Sequence, residues 1–308
     1  MPSTSRSARS TGTNRSPKPR RLAVLAALAT AAALTAGVSA PAHAAEPAPT
    51  AAPATTPDGS AGAERQGGLP PIHPERDFAG STVAAHEGRA DTPALASLTA
   101  TQTPGLDVAS YQGNVDWASV AGNGARFAYV KATEGTTYRN PYFAQQYNGS
   151  YNAGLIRGAY HFALPDRSSG TAQANWFVDH GGGWSRDGRT LPPALDIEYN
   201  PYGATCFGLS QSAMVSWIRA FSNTVRSRTG RYPTIYTTTG WWATCTGNNS
   251  SFGATNPLWI ARYASAVGTL PNGWTYQTFW QYADSGTFPG DQNLFNGAYD
   301  RLKALANG

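Results

Sequence analysis

The sequence has little charge, cysteine or histidine, and each shortage excludes a class of chemistry. Charged residues make up 13% of the 308 residues, and there are two Cys and five His. Only His161 and His180 lie after residue 103, which is too few for a zinc site with several His ligands, and no cofactor is expected. The chain also lacks a G-x-S-x-G elbow and a phosphate-binding glycine loop, so neither a serine hydrolase nor a nucleotide-dependent enzyme is indicated.

The net charge of +5 is concentrated at the amino terminus. Residues 1–44 hold six basic residues and no acidic one, and residues 45–103 hold three basic and seven acidic residues. Residues 104–308 hold 14 basic and 11 acidic residues, with no run of Lys or Arg. Because nucleic-acid binding domains carry clustered basic residues, this weak excess predicts no nucleic-acid partner.

The first 44 residues have the pattern of a secretory signal peptide. Arg20 and Arg21 end a basic region, residues 22–38 are apolar and rich in Ala and Leu, and Ala-His-Ala at 42–44 is a small-x-small cleavage site. The apolar run is at the short limit for a membrane span. We therefore predict a secreted protein whose mature form begins at Ala45 and has no membrane segment.

Two interpretations are open for residues 45–103. Up to residue 70 the stretch is rich in Ala, Pro, Thr and Gly, a composition that buries too little apolar surface to fold. This favours a disordered linker for the whole stretch. Residues 71–103 have more apolar content and further acidic residues, so the second interpretation is a pro-segment that docks on the mildly basic domain.

Residues 104–308 alternate between β-rich runs and helical patterns. The β-rich runs are GLDVAS, RFAYVKAT, IRGAYHFA, PPALDIEY and PTIYTTT, and the helical stretches are PYFAQQYNGSYNAG, SGTAQANWFVDH and SQSAMVSWIRAFSNTVRSRTG. After Thr239 the helical patterns fade, PLWIARYA and YQTFWQYA follow as strands, and a last helix is expected at about 299–306. Alternating strands and helices predict a parallel sheet, and about eight strands with fewer strong helices predict an irregular α/β barrel.

The two cysteines, Cys206 and Cys245, each follow a predicted strand. In a secreted protein we expect them to form a disulfide. The alternative is a pair of buried thiols.

The acidic residues near strand ends are the remaining candidates for chemistry. Asp107 lies in GLDVAS, Asp196 and Glu198 lie in ALDIEYN, and Asp291 lies in GDQNLFNG. Residues i and i+2 of a strand share a face, so Asp196 and Glu198 project together while Ile197 points the other way. Buried carboxylates are costly away from the rim of a barrel, and active sites are built at the carboxyl-terminal rim.

A close carboxylate pair also suits acid catalysis. Repulsion between like charges raises one pKa, so that one group can protonate a glycosidic oxygen while the other stabilises positive charge. Spacing alone leaves a structural alternative, in which one acid caps the following loop and the other pairs with an Arg.

Several blocks of the sequence resemble glycoside hydrolase family 25, the lysozymes of the Chalaropsis type. They are, in order, GLDVASYQGNVDW, FAYVKATEGTTYRNPYF, IRGAYHFALP, LDIEYNP, and FWQY followed by GDQNLFNG. The resemblance covers about residues 104–307 and is closest to secreted actinobacterial members. It implies a flattened, TIM-like (β/α)5(β)3 barrel over residues 104–308 and cleavage of the β-1,4 bond between N-acetylmuramic acid and N-acetylglucosamine.

The resemblance also implies roles for individual residues. Glu198 corresponds to the general acid, Asp196 to the residue that orients the acetamido group of the substrate, and Asp107 and Asp291 to the other acids of the groove. The implied substrate-binding residues are Tyr160, Trp280, Gln281 and Lys131. For Tyr160 and Trp280 the alternative is a place in the hydrophobic core, and for Lys131 it is a structural ion pair.

The expected partner is therefore the glycan strand of peptidoglycan, bound by a monomer. The acetamido group is expected to assist hydrolysis, with direct displacement by water as the alternative. Two other functions remain open, a related barrel that acts on chitin and a non-catalytic glycan-binding module. The second would be indicated by the loss of one of the four acids, and all four are present.

Overall fold

A computed structural model describes residues 69–90 and 101–308, which all belong to one compact unit, residues 65–308. The predicted signal peptide at 1–44, the predicted linker up to residue 68, and residues 91–100 lie outside the described residues. No helix in the described ranges is long and apolar enough to cross a membrane.

Eight strands form a closed barrel. They are β1 (Thr103–Val108), β2 (Phe127–Glu134), β4 (Ile156–Phe162), β5 (Ala194–Asp196), β6 (Thr234–Thr237), β7 (Leu258–Ala261), β8 (Phe279–Ala283) and β9 (Asp291–Phe295). A two-residue strand, β3 (Tyr138–Arg139), pairs antiparallel with the end of β2. The order around the barrel is β1-β9-β8-β7-β6-β5-β4-β2, closed by a β1–β2 pairing. All of these pairs are parallel except those of β9 with β8 and β1.

The helices confirm the predicted (β/α)5(β)3 arrangement. They are α1 (Val83–Glu87), α2 (Trp117–Gly122), α3 (Phe143–Asn152), α4 (Gly170–Asp179), α5 (Gln211–Thr229), α6 (Thr239–Thr246) and α7 (Tyr299–Asn307). One helix, from α2 to α6, follows each of the first five barrel strands, and within residues 101–308 no helix separates β7, β8 and β9.

The prediction that helices fade after Thr239 is wrong for α6. Thr238 accepts a hydrogen bond from the backbone N–H of Trp241, and Gly247 ends the helix in the left-handed conformation. Both residues are strong helix-end signals. The aromatic and β-branched residues between them favour a strand, and here the caps and the buried packing of Trp241 and Trp242 prevail.

The side chains of β5 and its continuation alternate between two hydrophobic clusters. Leu195 and Ile197 point outward and pack with residues of α4, α5 and α6. Ala194 points inward and packs with aromatic residues of the barrel interior. Asp196 and Glu198 continue the inward-facing series, because side chains alternate along an extended chain. The sequence prediction that Ile197 points away from the acids is confirmed.

The predicted disulfide is present. Cys206, in the loop after β5, bonds to Cys245 of α6, with an S–S distance of 1.98 Å and a Cα–Cα distance of 5.3 Å. It closes a loop of 39 residues, which stabilises the fold by about 4 kcal/mol in the chain-entropy model.

Candidate active site

Four acidic side chains meet at the end of the barrel where the parallel strands terminate. Asp107 is in β1 and pairs in register with Asp291 at the start of the antiparallel β9. Asp196 is the last residue of β5, and Glu198 follows two residues later. All four are at most 2% exposed. We call this group the acidic mouth, and the structure brings together the four acids predicted from the sequence.

Asp196 has an unusual environment for a carboxyl group. Both Oδ1 and Oδ2 are buried and have no hydrogen-bond partner among the described residues. Burial and the neighbouring charge of Glu198 raise the pKa of Asp196 well above its usual range. Because an unpartnered buried polar group costs free energy, this arrangement is typical of a group whose partner is a ligand.

Glu198 is also suited to holding a proton near neutral pH. Burial raises its pKa to about 8, against the opposing effect of hydrogen bonds from Gly80 and Thr82. The Gly80 backbone N–H donates to Oε1 at 2.7 Å and the Thr82 hydroxyl donates to Oε2 at 2.9 Å. A general acid that works near pH 7 needs a pKa in this range.

Two amide side chains hold Asp107. Its Oδ2 accepts hydrogen bonds from Nε2 of Gln281 at 2.9 Å and from Nδ2 of Asn293 at 2.6 Å. Burial raises the pKa of Asp107 to about 7, and these two hydrogen bonds oppose the rise. For Asp291, burial and then the charge of Asp107 raise the pKa well above the usual range. The acidic mouth as a whole therefore favours one or more protonated carboxyl groups.

Gln281 links the acids to two tyrosines. Its Oε1 accepts hydrogen bonds from the hydroxyls of Tyr236 at 2.8 Å and Tyr263 at 3.1 Å. The Tyr263 hydroxyl also lies 3.4 Å from Asp291 Oδ2. The structure thus places Gln281 beside the acids, as the sequence predicted.

Three further residues of the site were not predicted from the sequence, namely Tyr263, Tyr236 and Asn293. Asn293 lies two residues after Asp291 on the same face of β9, so the rule that predicts the pair at 196 and 198 could have found it. Tyr263 lies two residues past the end of β7, which is also a position at the rim.

Tyr160 is buried in the barrel interior, in the same cluster as Trp259 and Tyr236. Burial is the main reason that its pKa lies well above the usual value, and the charges of Asp107 and Asp196 add to this effect. It is therefore both a core aromatic residue and a neighbour of the acids, so the two sequence interpretations are compatible.

Lys131 is fully buried and forms an ion pair with Glu134 at 2.6 Å. Lys131 and Glu134 are three positions apart and would face opposite sides of a regular strand. A register shift in β2 between Lys131 and Thr133 allows them to meet. The Lys131 ammonium also lies 5.0 Å from the ring centre of Phe162. The structural ion pair considered from the sequence is present, and Glu134 is a fifth buried acid that the sequence analysis missed.

Trp280 lies on the opposite face of β8 from Gln281. It packs in the same outer cluster as Leu195 and Ile197, and its Nε1 donates to the backbone oxygen of Arg262 at 2.9 Å. The structure therefore does not bring Trp280 to the acidic mouth, because neighbouring residues of a strand face opposite sides.

His161 has no role as an acid or base in this site. Its ring nitrogens are hydrogen-bonded to Thr133 Oγ1 at 2.8 Å and to Gln173 Oε1 at 2.9 Å. Burial lowers the pKa of His161 to about 3, so the ring stays neutral. This leaves the carboxyl groups as the titratable groups available for catalysis.

Comparison with known proteins gives a consistent result. The family model described as glycosyl hydrolases family 25 matches residues 106–291. The chain is 52% identical over 208 residues to the N,O-diacetylmuramidase of Chalaropsis sp, covering 66% of this chain and 99% of that protein. It is 51% identical over 208 residues to Lysozyme M1 of Streptomyces globisporus, covering 66% and 71%.

Solved structures show the same fold. The muramidase from Acremonium alcalophilum aligns with a TM-score of 0.66 and 60% identity, covering 67% of this chain and 99% of that one. The bacterial lysozyme from Streptomyces coelicolor aligns with a TM-score of 0.65 and 49% identity, covering 70% and 99%. Residues 103–308, the barrel of this chain, are also about two thirds of its length, so these solved proteins are close to the barrel in size.

Proposed function

Since the chain belongs to glycosyl hydrolase family 25, we propose that the acidic mouth is its active site, with Glu198 as general acid and Asp196 as the partner of the substrate acetamido group. The protein is a lysozyme, a glycoside hydrolase that cleaves the β-1,4 bond between N-acetylmuramic acid and N-acetylglucosamine in peptidoglycan. The observation that carries the residue assignment is the unpartnered carboxyl of Asp196. Both of its oxygens are buried without a hydrogen-bond partner among the described residues, and Glu198 lies beside it.

The geometry supports acid catalysis by Glu198. Protonated Glu198 donates its proton to the glycosidic oxygen as the bond from that oxygen to the anomeric carbon breaks. With residues 69–90 in place, burial raises the pKa of Glu198, and a substrate that covers the same site in their place keeps this proton available near pH 7. Once the leaving sugar has departed, the ionised Glu198 accepts a proton from the attacking water.

The unpartnered carboxyl of Asp196 supports assistance by the substrate itself. The acetamido carbonyl oxygen attacks the anomeric carbon, and the acetamido N–H donates to Asp196. A hydrogen bond from this N–H lowers the pKa of Asp196, and the resulting carboxylate stabilises the positive charge that develops on the acetamido group. Water then opens the cyclic intermediate, which gives retention of configuration.

The remaining groups hold the sugar and the acids in place. Polar contacts for the substrate come from the residues that line the acidic mouth, namely Asp107, Asp291, Gln281 and Tyr160. Lys131 lies at its edge and contributes to substrate binding. Secretion through the signal peptide predicted at residues 1–44 brings the enzyme to its substrate outside the cell. We propose that it acts there as a monomer, without nucleic acid or membrane as a partner.

The Glu198→Gln variant tests the assignment. The protein is first cut between Ala90 and Thr103, so that Gly80 and Thr82 cannot occupy Glu198. Digestion of purified peptidoglycan, followed by mass spectrometry of the fragments, should then give muramic acid at the new reducing ends for the unmodified protein and at least 100-fold fewer fragments for the variant, within the usual range for loss of an acid catalyst. Asp300→Asn, on the exposed side of α7, is a matched control that should keep full activity. Release of fragments by folded Glu198→Gln at the control rate would contradict the assignment.

The same assay separates the alternatives. Chitin oligomers replace peptidoglycan in a parallel digestion, and preferential cleavage of chitin would contradict the muramidase assignment. NMR of the first product formed distinguishes retention, which the acetamido route requires, from inversion, which direct displacement by water produces.

A further inference from the structure

The amino-terminal segment, residues 69–90, packs into the acidic mouth. Ala79 and Val83 are completely buried and join the inward-facing hydrophobic cluster of the barrel, which includes Tyr160, Tyr236 and Trp259. This segment was predicted as part of a linker on composition. In the structure it has a helix, α1, and buried side chains, as the other interpretation, a docked pro-segment, requires.

The segment occupies both oxygens of Glu198. Oε1 accepts from the Gly80 N–H at 2.7 Å, and Oε2 accepts from the Thr82 hydroxyl at 2.9 Å. Glu198 is only 2% exposed in this arrangement. A general acid must come within hydrogen-bond distance of the glycosidic oxygen, so substrate and segment exclude each other at Glu198.

Thr82 makes this contact at the expense of its local structure. It is the N-cap residue of α1, but its side chain makes no capping hydrogen bond. Threonine at this position normally accepts a hydrogen bond from the first turn of the helix. Here the hydroxyl is directed at Glu198 instead, which indicates that the contact is specific.

The peptide groups next to Gly80 use the polar side chains of the acidic mouth. The Ala79 N–H donates to the Tyr160 hydroxyl at 3.3 Å, and the Ala79 carbonyl accepts from Gln281 Nε2 at 2.8 Å. The Gly80 carbonyl accepts from the Tyr263 hydroxyl at 3.2 Å. A peptide amide has the same N–H and carbonyl groups as an N-acetyl group, so the segment satisfies groups that suit an N-acetyl sugar.

Gly80 fits because it has no side chain. Its φ is +95°, and a Cβ atom there would lie 2.6 Å from Gln281 Oε1, 3.0 Å from Asp291 Oδ2 and closer still to the Tyr263 hydroxyl. Gly88 in the same segment also has a positive φ, of +75°, but a Cβ atom there would meet nothing within 4 Å. Both glycines therefore have a positive φ, and of the two Gly80 contacts the acidic mouth.

Further contacts fix both ends of the segment. At the amino-terminal end, Lys131 Nζ donates to the backbone oxygens of Asp77 at 2.6 Å and Pro74 at 3.2 Å. At the other end, the rings of His86 and Tyr199 stack with centroids 4.0 Å apart, and the Tyr199 hydroxyl donates to Glu87 at 2.8 Å.

We propose that residues 69–90 are an autoinhibitory pro-segment, and that the lysozyme becomes active when a separate protease hydrolyses one peptide bond between Ala90 and Thr103. Water adds across that C–N bond and no other reactant is needed. A segment that belongs to the same chain as the barrel is present at a higher effective concentration than a separate peptide, and after the cut it can dissociate and dilute. The proposal rests on the assignment of the acidic mouth as the active site.

The test uses a protein that begins at Ala45 and carries a recognition sequence for a specific protease within residues 91–100. Peptidoglycan cleavage is measured before the cut, and again after the cut and gel filtration. We expect at least a tenfold increase on cutting, and inhibition of the cut enzyme by a synthetic peptide of residues 69–90. Equal, measurable activity before and after the cut would overturn autoinhibition and leave the proposed function intact. No cleavage by either form would overturn both.

Two substitutions in the uncut protein separate inhibition from a general effect on folding. Gly80→Ala should raise the activity of the uncut protein towards that of the cut enzyme, because its Cβ collides with the acidic mouth, while Gly88→Ala should leave it latent. After the cut, both variants should match the unmodified enzyme, because the altered segment is gone. If the uncut Gly80→Ala variant were as inactive as the uncut Gly88→Ala variant, the proposal would be contradicted.

Discussion

Lys131 and Glu134 form an ion pair of 2.6 Å in which both side chains are completely buried. The ammonium lies next to the rings of Phe162 and Tyr138, away from water. Removing one member of a buried pair leaves an uncompensated charge, which is much more costly than removing both.

Lys131→Met should therefore lower the free energy of unfolding by about 3–5 kcal/mol, measured by urea denaturation. The double variant Lys131→Met/Glu134→Leu should recover at least half of this loss, because no buried charge remains. Lys303→Met on α7, an exposed position, is the control and should have little effect. If the single and double variants lose the same stability, the pair does not act as a coupled unit.

Titration of Asp77 makes the docking of residues 69–90 depend on pH. Burial and then the charge of Glu134 raise the pKa of Asp77 from 3.8 to about 8, while Lys131 lowers it and Glu198 adds to the rise. The Tyr202 hydroxyl donates to the Asp77 carboxyl and lies 3.3 Å from Glu134 Oε1. Between about pH 4 and pH 8, Asp77 is ionised when the segment is free and protonated when it is docked, so docking takes up a proton. Docking is therefore strongest below about pH 4 and weakens as the pH rises to about 8.

The activity of the uncut protein, divided by that of the cut enzyme at the same pH, should rise between pH 6 and pH 8. Asp77→Asn carries a neutral side chain of the same shape and should make this ratio nearly independent of pH. Division by the cut enzyme removes the pH dependence of catalysis itself. An unchanged slope in Asp77→Asn would exclude Asp77 as the responsible group.

The disulfide links the loop that follows Glu198 to α6. Cys206→Ser/Cys245→Ser should lower the free energy of unfolding by about 4 kcal/mol, because the unfolded chain regains the freedom of a 39-residue loop. Urea denaturation measures this loss, and the dependence of the unfolding free energy on urea concentration should increase in the variant, because its unfolded chain is less compact. A loss below about 1 kcal/mol would mean that the unfolded chain without the disulfide retains structure that already restrains this loop.

The barrel and its acids could be predicted because strand patterns and acid positions are local features of the sequence. Strand ends hold Asp107 and Asp196, and residues two apart share a face, so three of the four acids follow from counting along strands. The strand predicted for PPALDIEY is shorter in the structure, Ala194–Asp196, because the chain leaves the ladder where it builds the rim. The rest of the site, such as Tyr263 with Asp291, depends on contacts between distant strands, which no local pattern gives.

Composition left the docking of residues 69–90 as one of two interpretations, and its contacts could not be predicted for a physical reason. Its main contacts use the backbone N–H of Gly80, the carbonyl of Ala79 and the small side chain of Thr82. Backbone groups are the same in every sequence, and small residues give no hydrophobic periodicity. The acidic excess of residues 45–103 suggested docking by charge. In the structure, the contact depends on shape and hydrogen bonding at Gly80 more than on net charge.

Asp196→Asn should raise stability and remove activity together. The folded-state pKa of Asp196 lies above its unfolded value because of burial and Glu198, so its contribution to stability is present at low pH and is lost as the pH rises. At pH 7 the unmodified protein must keep this buried carboxyl protonated or charged without a partner. Asn removes the charge and leaves only the smaller cost of an unpartnered amide. We expect a higher Tm for the variant, with a difference that widens from pH 5 to pH 8.

In the cut enzyme, the same variant should lose at least 100-fold in kcat with little change in KM, because Asp196 acts mainly on the charge that develops in the transition state. Such a trade of activity for stability is expected where a catalytic group is held in an unfavourable environment. Asp300→Asn, exposed on α7, should change neither quantity. A lower Tm in Asp196→Asn would mean that the carboxyl has a stabilising partner after all, and full activity would remove Asp196 from the mechanism.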